Sequence, residues 1–109
     1  MATKRYWTIS EVADQFGVNT SLLRYWEKEF KALEPKKQGS GKRAYTAQDI
    51  EIIGVLHDLL KGKGYTIDGA KRHLKKALKE HRQAEALRQR LEAIRAELLR
   101  LADDVERQA

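Results

Sequence analysis

The stretch Thr8-Ile9-Ser10-Glu11-Val12-Ala13-Asp14-Gln15-Phe16-Gly17-Val18-Asn19-Thr20-Ser21-Leu22-Leu23-Arg24-Tyr25-Trp26-Glu27-Lys28-Glu29-Phe30 reads as two short helices with almost nothing between them. Thr8 and Glu11 have capping-box spacing, in which a hydroxyl and a carboxylate three residues apart satisfy two free backbone donors at a helix start. The first helix begins there, with Ile9, Val12, Ala13 and Phe16 on one face. Gly17 ends it, because glycine tolerates a left-handed backbone. Asn19 is a good N-cap, and after it Leu22, Leu23, Trp26 and Phe30 repeat at helical spacing. With only Gly17-Val18-Asn19 between them, the helices must cross steeply, which is helix-turn-helix geometry.

Downstream, Pro35 breaks the helical pattern, and Lys36-Lys37-Gln38-Gly39-Ser40-Gly41-Lys42-Arg43 is a glycine-punctuated stretch with four cations and no acid. It reads as a β-hairpin, a wing over 35–45 with its tip near Gly39-Ser40-Gly41 and Tyr45 in the core at the strand's end. A flexible linker is the other reading, since strand signals on either side are thin. Thr46 caps a third helix with Asp49 in its first turn and Ile50, Ile53, Leu56 and Leu60 inward, and Gly62 and Gly64 stop it. Thr66 starts a fourth through Ile67, Ala70 and Leu74, whose outer face carries Lys71, Arg72, Lys75, Lys76 and Lys79.

From Ala84 onward the apolar residues step by three and four: Ala84, Leu87, Leu91, Ile94, Leu98, Leu101, Val105. A seam two positions wide in seven is too narrow to cover a globular core but suits another helix of its own kind. These seven residues are the expected dimerisation seam, with Ala84, Leu91, Leu98 and Val105 at a. A tail folded back on the domain is the intramolecular alternative. In a parallel pair Arg90 would face Arg95 of the partner, whereas antiparallel pairing brings Arg90 near Glu97 but Arg88 near Arg95. Exposed pairs of this kind contribute only about 0.2–1 kcal/mol, so the charges lean towards antiparallel without deciding it.

Composition divides the chain in the same way. Of the 109 residues, Gln83–Ala109 hold no Gly, Pro or aromatic, whereas the first 82 hold all seven Gly, the one Pro and all eight aromatics. The expected fold is mainly α: a winged helix-turn-helix domain over 1–81, four helices plus a small β-hairpin wing, followed by a long coiled-coil helix over 82–109. The net charge of +6 is also uneven, with 17 Lys and Arg against 10 Asp and Glu in residues 1–82 and 5 against 6 in 83–109. A basic compact domain suggests a polyanionic partner, nucleic acid first and an acidic membrane second, although charge also serves solubility. The absence of Cys excludes disulfides, thiolate metal sites and thiol redox chemistry. The start lacks the apolar core of a secretion signal and no apolar run approaches a membrane span, so the cytoplasm is the expected location.

The second helix is the informative segment, because its faces differ in kind. Leu22, Leu23, Trp26 and Phe30 point inward, while Thr20, Ser21, Arg24 and Lys28 lie opposite and Tyr25 sits at the border. A face of hydroxyls and cations suits the major groove. The alternatives are a surface ion pair of Arg24 with a carboxylate such as Glu27, and a Tyr25 ring packed on the hairpin. Lys36, Lys37, Lys42 and Arg43 cluster where a wing would flank that helix and grip phosphate, which positions a protein without reading sequence.

The order of these signals resembles the MerR family of transcriptional regulators. Thr8-Ile9-Ser10-Glu11-Val12-Ala13, Gly17-Val18, Leu23-Arg24-Tyr25-Trp26-Glu27, Pro35-Lys36-Lys37, Gly41-Lys42-Arg43-Ala44-Tyr45 and Gly64-Tyr65-Thr66-Ile67 look like its successive motifs, and the terminal heptads match its layout. The resemblance implies a homodimer joined by antiparallel C-terminal helices on a pseudo-palindromic double-stranded operator, with RNA polymerase at a promoter as a further partner. It also implies a kinked, untwisted promoter that an effector switches from repression to activation. By motif position Arg24, Tyr25, Lys37 and Arg43 would contact DNA. Trp26 stands where Tyr is usual, and Lys42 replaces the usual Tyr of the wing. Only Glu106-Arg107-Gln108-Ala109 follow the heptads, so no effector domain is expected, and without Cys the thiolate sensing of the family's mercury, copper and superoxide branches is impossible.

Two other functions remain open from the sequence: an architectural or excisionase-like protein that bends DNA, and a coiled-coil adaptor for another protein. An enzyme is not expected, because no phosphate loop, activated nucleophile or paired acid motif occurs. Nor is a cofactor or metal, since His57, His73 and His81 form no i,i+4 pair.

Overall fold

In the computed structural model of the chain, which describes residues 5–37 (Lys37 as backbone only) and 42–109, the capping box at Thr8 is formed. The Glu11 amide donates to Thr8 Oγ1 at 3.2 Å and the Thr8 amide donates to Glu11 Oε1 at 3.1 Å. Helix α1 (Ile9–Phe16) follows and ends at Gly17, whose φ of 64° is the left-handed conformation. Two residues later α2 (Thr20–Glu29) begins. Asn19 occupies its N-cap position without a side-chain capping bond, so the start of α2 is set by backbone geometry rather than by the amide expected to cap it.

The hairpin is short. Strand β1 (Lys36–Lys37) pairs antiparallel with β2 (Arg43–Ala44), Lys36 opposite Ala44 and Lys37 opposite Arg43. Trp7 pairs with Tyr45 through two backbone hydrogen bonds of 2.9 Å, which tie the segment before α1 to the end of β2. The expected tip, Gly39-Ser40-Gly41, lies outside the described residues.

Thr46 opens α3 (Ala47–His57) with a second capping box. Asp49, buried despite its charge, accepts from the Thr46 amide at 2.9 Å and from the Thr46 hydroxyl at 3.0 Å. Its burial is therefore compensated by the cap. Beyond His57 the chain widens into a π-helical turn, Asp58–Gly62, in which the Lys63 amide donates to the Asp58 carbonyl at 2.8 Å. Gly64, at φ 72°, then takes the left-handed conformation, and the Tyr65 amide donates to the Leu59 carbonyl at 2.8 Å. The expected stop at Gly62 and Gly64 is thus preceded by a change of helix type. Leu59 in this turn is buried, as are Ile52 and Val55 of α3, while Ile50 and Leu60 are only half-buried.

Helix α4 (Ile67–Gln108) is capped by Thr66, whose hydroxyl accepts from the Gly69 amide at 3.0 Å. The fourth helix and the heptad helix, expected as two elements, are one. After Gly69 the sequence holds neither Gly nor Pro and is rich in Ala, Leu, Lys, Glu, Arg and Gln, so nothing interrupts the hydrogen-bond ladder.

The chain divides into two units, one up to Lys75 and one over Lys76–Ala109. In the first, α1 packs on α2 and α3, and Val12, Leu23, Trp26, Leu33, Tyr45, Ile53 and Leu56 are sealed from water. Each such side chain contributes about 1.5–3 kcal/mol of hydrophobic stabilisation. The second unit is helix throughout, except for the last residue. Arg88 pairs with Glu85 and with Glu92 (2.8 Å), Arg100 with Glu97, and Arg107 with Asp103 (2.8 Å). Leu87, Leu91, Ile94, Leu98, Leu101 and Val105 stand 52–67% exposed, together with Leu99, which the seam did not include. No helix among the described residues is long and apolar enough to cross a membrane.

Candidate nucleic-acid interface

Helix α2 has one sealed side and one open side. Leu23, Trp26 and Phe30 anchor it in the core, and that anchorage fixes which residues face out. Ser21, Arg24 and Lys28 are exposed, Tyr25 keeps 46% of its surface in water, and Thr20 is half-buried. Among the described contacts Arg24 forms no ion pair, and Glu27 is engaged elsewhere.

Two clefts border the open side. The first, about 610 Å³, is lined by Ser21, Arg24, Tyr25, Glu27 and Lys28 of α2 and by Arg43 of β2. The second, about 380 Å³, is lined by Thr8, Ile9 and Ser10 at the start of α1 together with Arg24, Lys42 and Arg43. Arg24 and Arg43 belong to both. Short polar side chains and free cations in open clefts are the groups that donate to base edges and phosphate oxygens.

Of the four expected wing cations, Lys36 and Lys42 are exposed, and the side chain of Lys37 lies outside what is described. Arg43 differs from them. Its Nε–H donates to Glu27 Oε2 at 2.6 Å, and the pair is mostly covered, with 26% of the Arg43 side chain and 12% of that of Glu27 exposed. The other oxygen, Glu27 Oε1, accepts from the Tyr45 hydroxyl. Burial pushes the Tyr45 hydroxyl well above the ordinary tyrosine range, reinforced by the hydrogen bond to Glu27 and by that carboxylate's charge, with Arg43 pulling the other way. Charge-assisted hydrogen bonds of this kind contribute about 1.5–3 kcal/mol each. From the sequence Glu27 was considered only as an ion-pair partner for Arg24, whereas its partners are Arg43 and Tyr45. Its position three residues from Arg24 on α2 was visible, but its partners lie 16 and 18 residues away.

The basic outer face of α4 divides in the same manner. Lys71 pairs with Glu29 at 3.1 Å, while Arg72 and Lys75 are exposed. Two of the three histidines take ring contacts: the His57 and Phe16 ring centroids lie 5.8 Å apart, and His73 meets Tyr65 edge-on at 5.3 Å. No cluster of metal-ligating side chains occurs among the described residues.

Comparison with known proteins agrees with this layout. A segment of 56 residues, 51% of the chain, is 34% identical to the HTH-type transcriptional repressor CarH of Myxococcus xanthus; the match spans only 19% of that protein's length. Two solved structures share the fold. One is HiNmlR, a MerR family regulator lacking the sensor domain and bound to promoter DNA, with a TM-score of 0.54, 24% identity, and coverage of 94% of this chain and 86% of that one. The other is a MerR family transcriptional regulator from Bacillus thuringiensis, with a TM-score of 0.51, 21% identity, and coverage of 94% and 98%. The profile of the MerR HTH family regulatory proteins matches residues 7–77, the stretch that carries α1, α2, the wing, α3 and the start of α4. The chain belongs to the MerR family of helix-turn-helix regulatory proteins.

Proposed function

We propose that this protein is a DNA-binding transcriptional regulator that lays the open face of α2 in the major groove, sets the wing on the adjoining backbone and acts as a homodimer. The observation that carries the reading is the two-sidedness of α2: Leu23, Trp26 and Phe30 are sealed, and Ser21, Arg24, Tyr25 and Lys28 open onto a cleft shared with the wing. Arg24 is the candidate for base contact, with Thr20, Ser21, Tyr25 and Lys28 beside it, and Lys36, Lys37, Lys42 and Arg43 are the candidates for phosphate. The promoter DNA bound by HiNmlR and the repressor function of CarH support the same use of the fold. For the homodimer the support is the row of exposed Leu, Ile and Val on Lys76–Ala109, which suits a second copy in antiparallel register. A two-fold dimer would bind a pseudo-palindromic site.

Selection of duplexes from a randomised pool tests this without knowledge of the operator. The enriched sites are expected to have two-fold symmetry. Arg24→Ala should weaken binding about tenfold and relax base preference at one position of each half-site. Lys42→Ala should weaken all sequences alike and lower the salt slope by about 0.9 for each phosphate that the lysine neutralised. If a folded protein enriches no duplex at low salt, the DNA reading fails and a coiled-coil adaptor takes its place.

A further inference from the structure

Glu27 is an acid in the middle of a surface built to meet phosphate. Taken as an isolated charge it should repel DNA, so its place calls for another reason. Three features converge on it. It holds the Nε edge of Arg43 and the hydroxyl of Tyr45 at the same time, one on each oxygen. It is the better covered member of its ion pair, with 12% of its side chain exposed. And the wing strands it reaches are two residues long, a ladder too short to hold its own orientation.

The consequence for Arg43 is geometrical. A guanidinium gripped at Nε retains the N–H donors of its two terminal nitrogens. Arg43 lines both clefts bordering α2, and so does Arg24. A rigid, planar donor held by a carboxylate loses little rotamer freedom when it binds phosphate.

We propose that Glu27 is the positioning residue of this interface: through Arg43 and Tyr45 it fixes the wing on α2 and aims Arg43 at a backbone phosphate, without touching DNA itself. The proposal rests on the DNA-binding reading above and adds to it the residue that sets the spacing between helix and wing.

The test uses the full chain, the tightest duplex selected by the wild type, and a scrambled duplex of equal length. Glu27→Ala should bind the selected duplex about tenfold more weakly, the size of one charge-assisted bond, and the scrambled duplex equally or more tightly, because a negative charge is gone. Its salt slope on the selected duplex should fall by about 0.9, for the phosphate that Arg43 no longer meets. Glu27→Gln keeps the volume and an acceptor oxygen, should lie between the two, and decides the matter if the alanine variant does not fold. In an Arg43→Ala background Glu27→Ala should add little. The proposal is overturned if the Glu27 variants bind the selected duplex as tightly as the wild type, or if the losses from Glu27→Ala and Arg43→Ala add in full. A wild type that enriches no duplex defeats the DNA reading and this proposal together, whereas a DNA-binding wild type indifferent to Glu27 defeats this one alone.

Discussion

Leu23, Trp26, Ile53 and Leu56 are sealed from water, whereas Leu87, Leu91, Ile94, Leu98, Leu99, Leu101 and Val105 keep more than half their surface in it. The residue types are alike; the period is not. In the unit up to Lys75 the apolar positions form stripes wide enough to face several neighbours, and α1 packs on both α2 and α3. In the unit Lys76–Ala109 a narrow seam runs along a lone helix. The first unit completes its own core. The second carries a surface that hydrophobic burial would favour only against something outside it.

The largest effect that would sharpen this contrast comes from the seam. Leu91→Asp with Leu98→Asp should raise the dissociation constant of the proposed dimer by at least about a hundredfold, since each unpaired carboxylate buried in its seam would cost several kcal/mol. Sedimentation should then find monomers, with the melt of the front unit unmoved; a dimer that persists breaks the seam assignment. Next in size is Trp26→Ala, expected to remove about 3–5 kcal/mol from the front unit, a large share of the total stability of a small domain. Denaturant unfolding followed by near-ultraviolet circular dichroism measures it, and a loss under about 1 kcal/mol would mean that the core is not organised around this ring.

Tyr45 supplies a pH-dependent case. Its hydroxyl is raised above the ordinary value of 10.0, chiefly by burial. The stabilisation linked to it is therefore fully present below about pH 10 and is lost as pH rises beyond that, by up to about 1.4 kcal/mol per pH unit. Melting curves of the wild type and Tyr45→Phe between about pH 8 and 11 should converge at the alkaline end. Curves that stay parallel would show that Tyr45 does not titrate differently on folding. The smallest effect is expected at Arg88, whose ion pairs with Glu85 and Glu92 are open to solvent. Arg88→Ala should leave the melting midpoint unchanged within error, and a clear drop would mean that the tail helix depends on charge more than on its seam.

Local signals carried most of the fold. The capping boxes at Thr8 and Thr46 and the left-handed Gly17 rest on residues within a few positions of each other, and their chemistry can be read without the rest of the chain. The two-sided character of α2 followed from helical spacing alone. Three features did not yield to that reasoning. The π-helical turn at Asp58–Gly62 changes the hydrogen-bond step without a residue that announces it. The continuity of α4 was obscured because a change from a wide stripe to a narrow one looks like a boundary while the backbone passes through it. The Glu27, Arg43 and Tyr45 cluster joins a helix to a strand, and a pairing across 16 and 18 residues leaves no periodic trace. For Arg43, positive charge beside a wing tip suggested a free phosphate ligand, while its Nε was already taken.

A hairpin with a ladder of only two residue pairs has a practical meaning for protein engineering. Loop grafting treats the wing as a cassette with ends to be joined. Here the transferable piece includes an acid on the preceding helix, so a chimaera that moves residues 35–45 onto another scaffold without a carboxylate matching Glu27 would inherit the cations but lose the orientation in which they are presented.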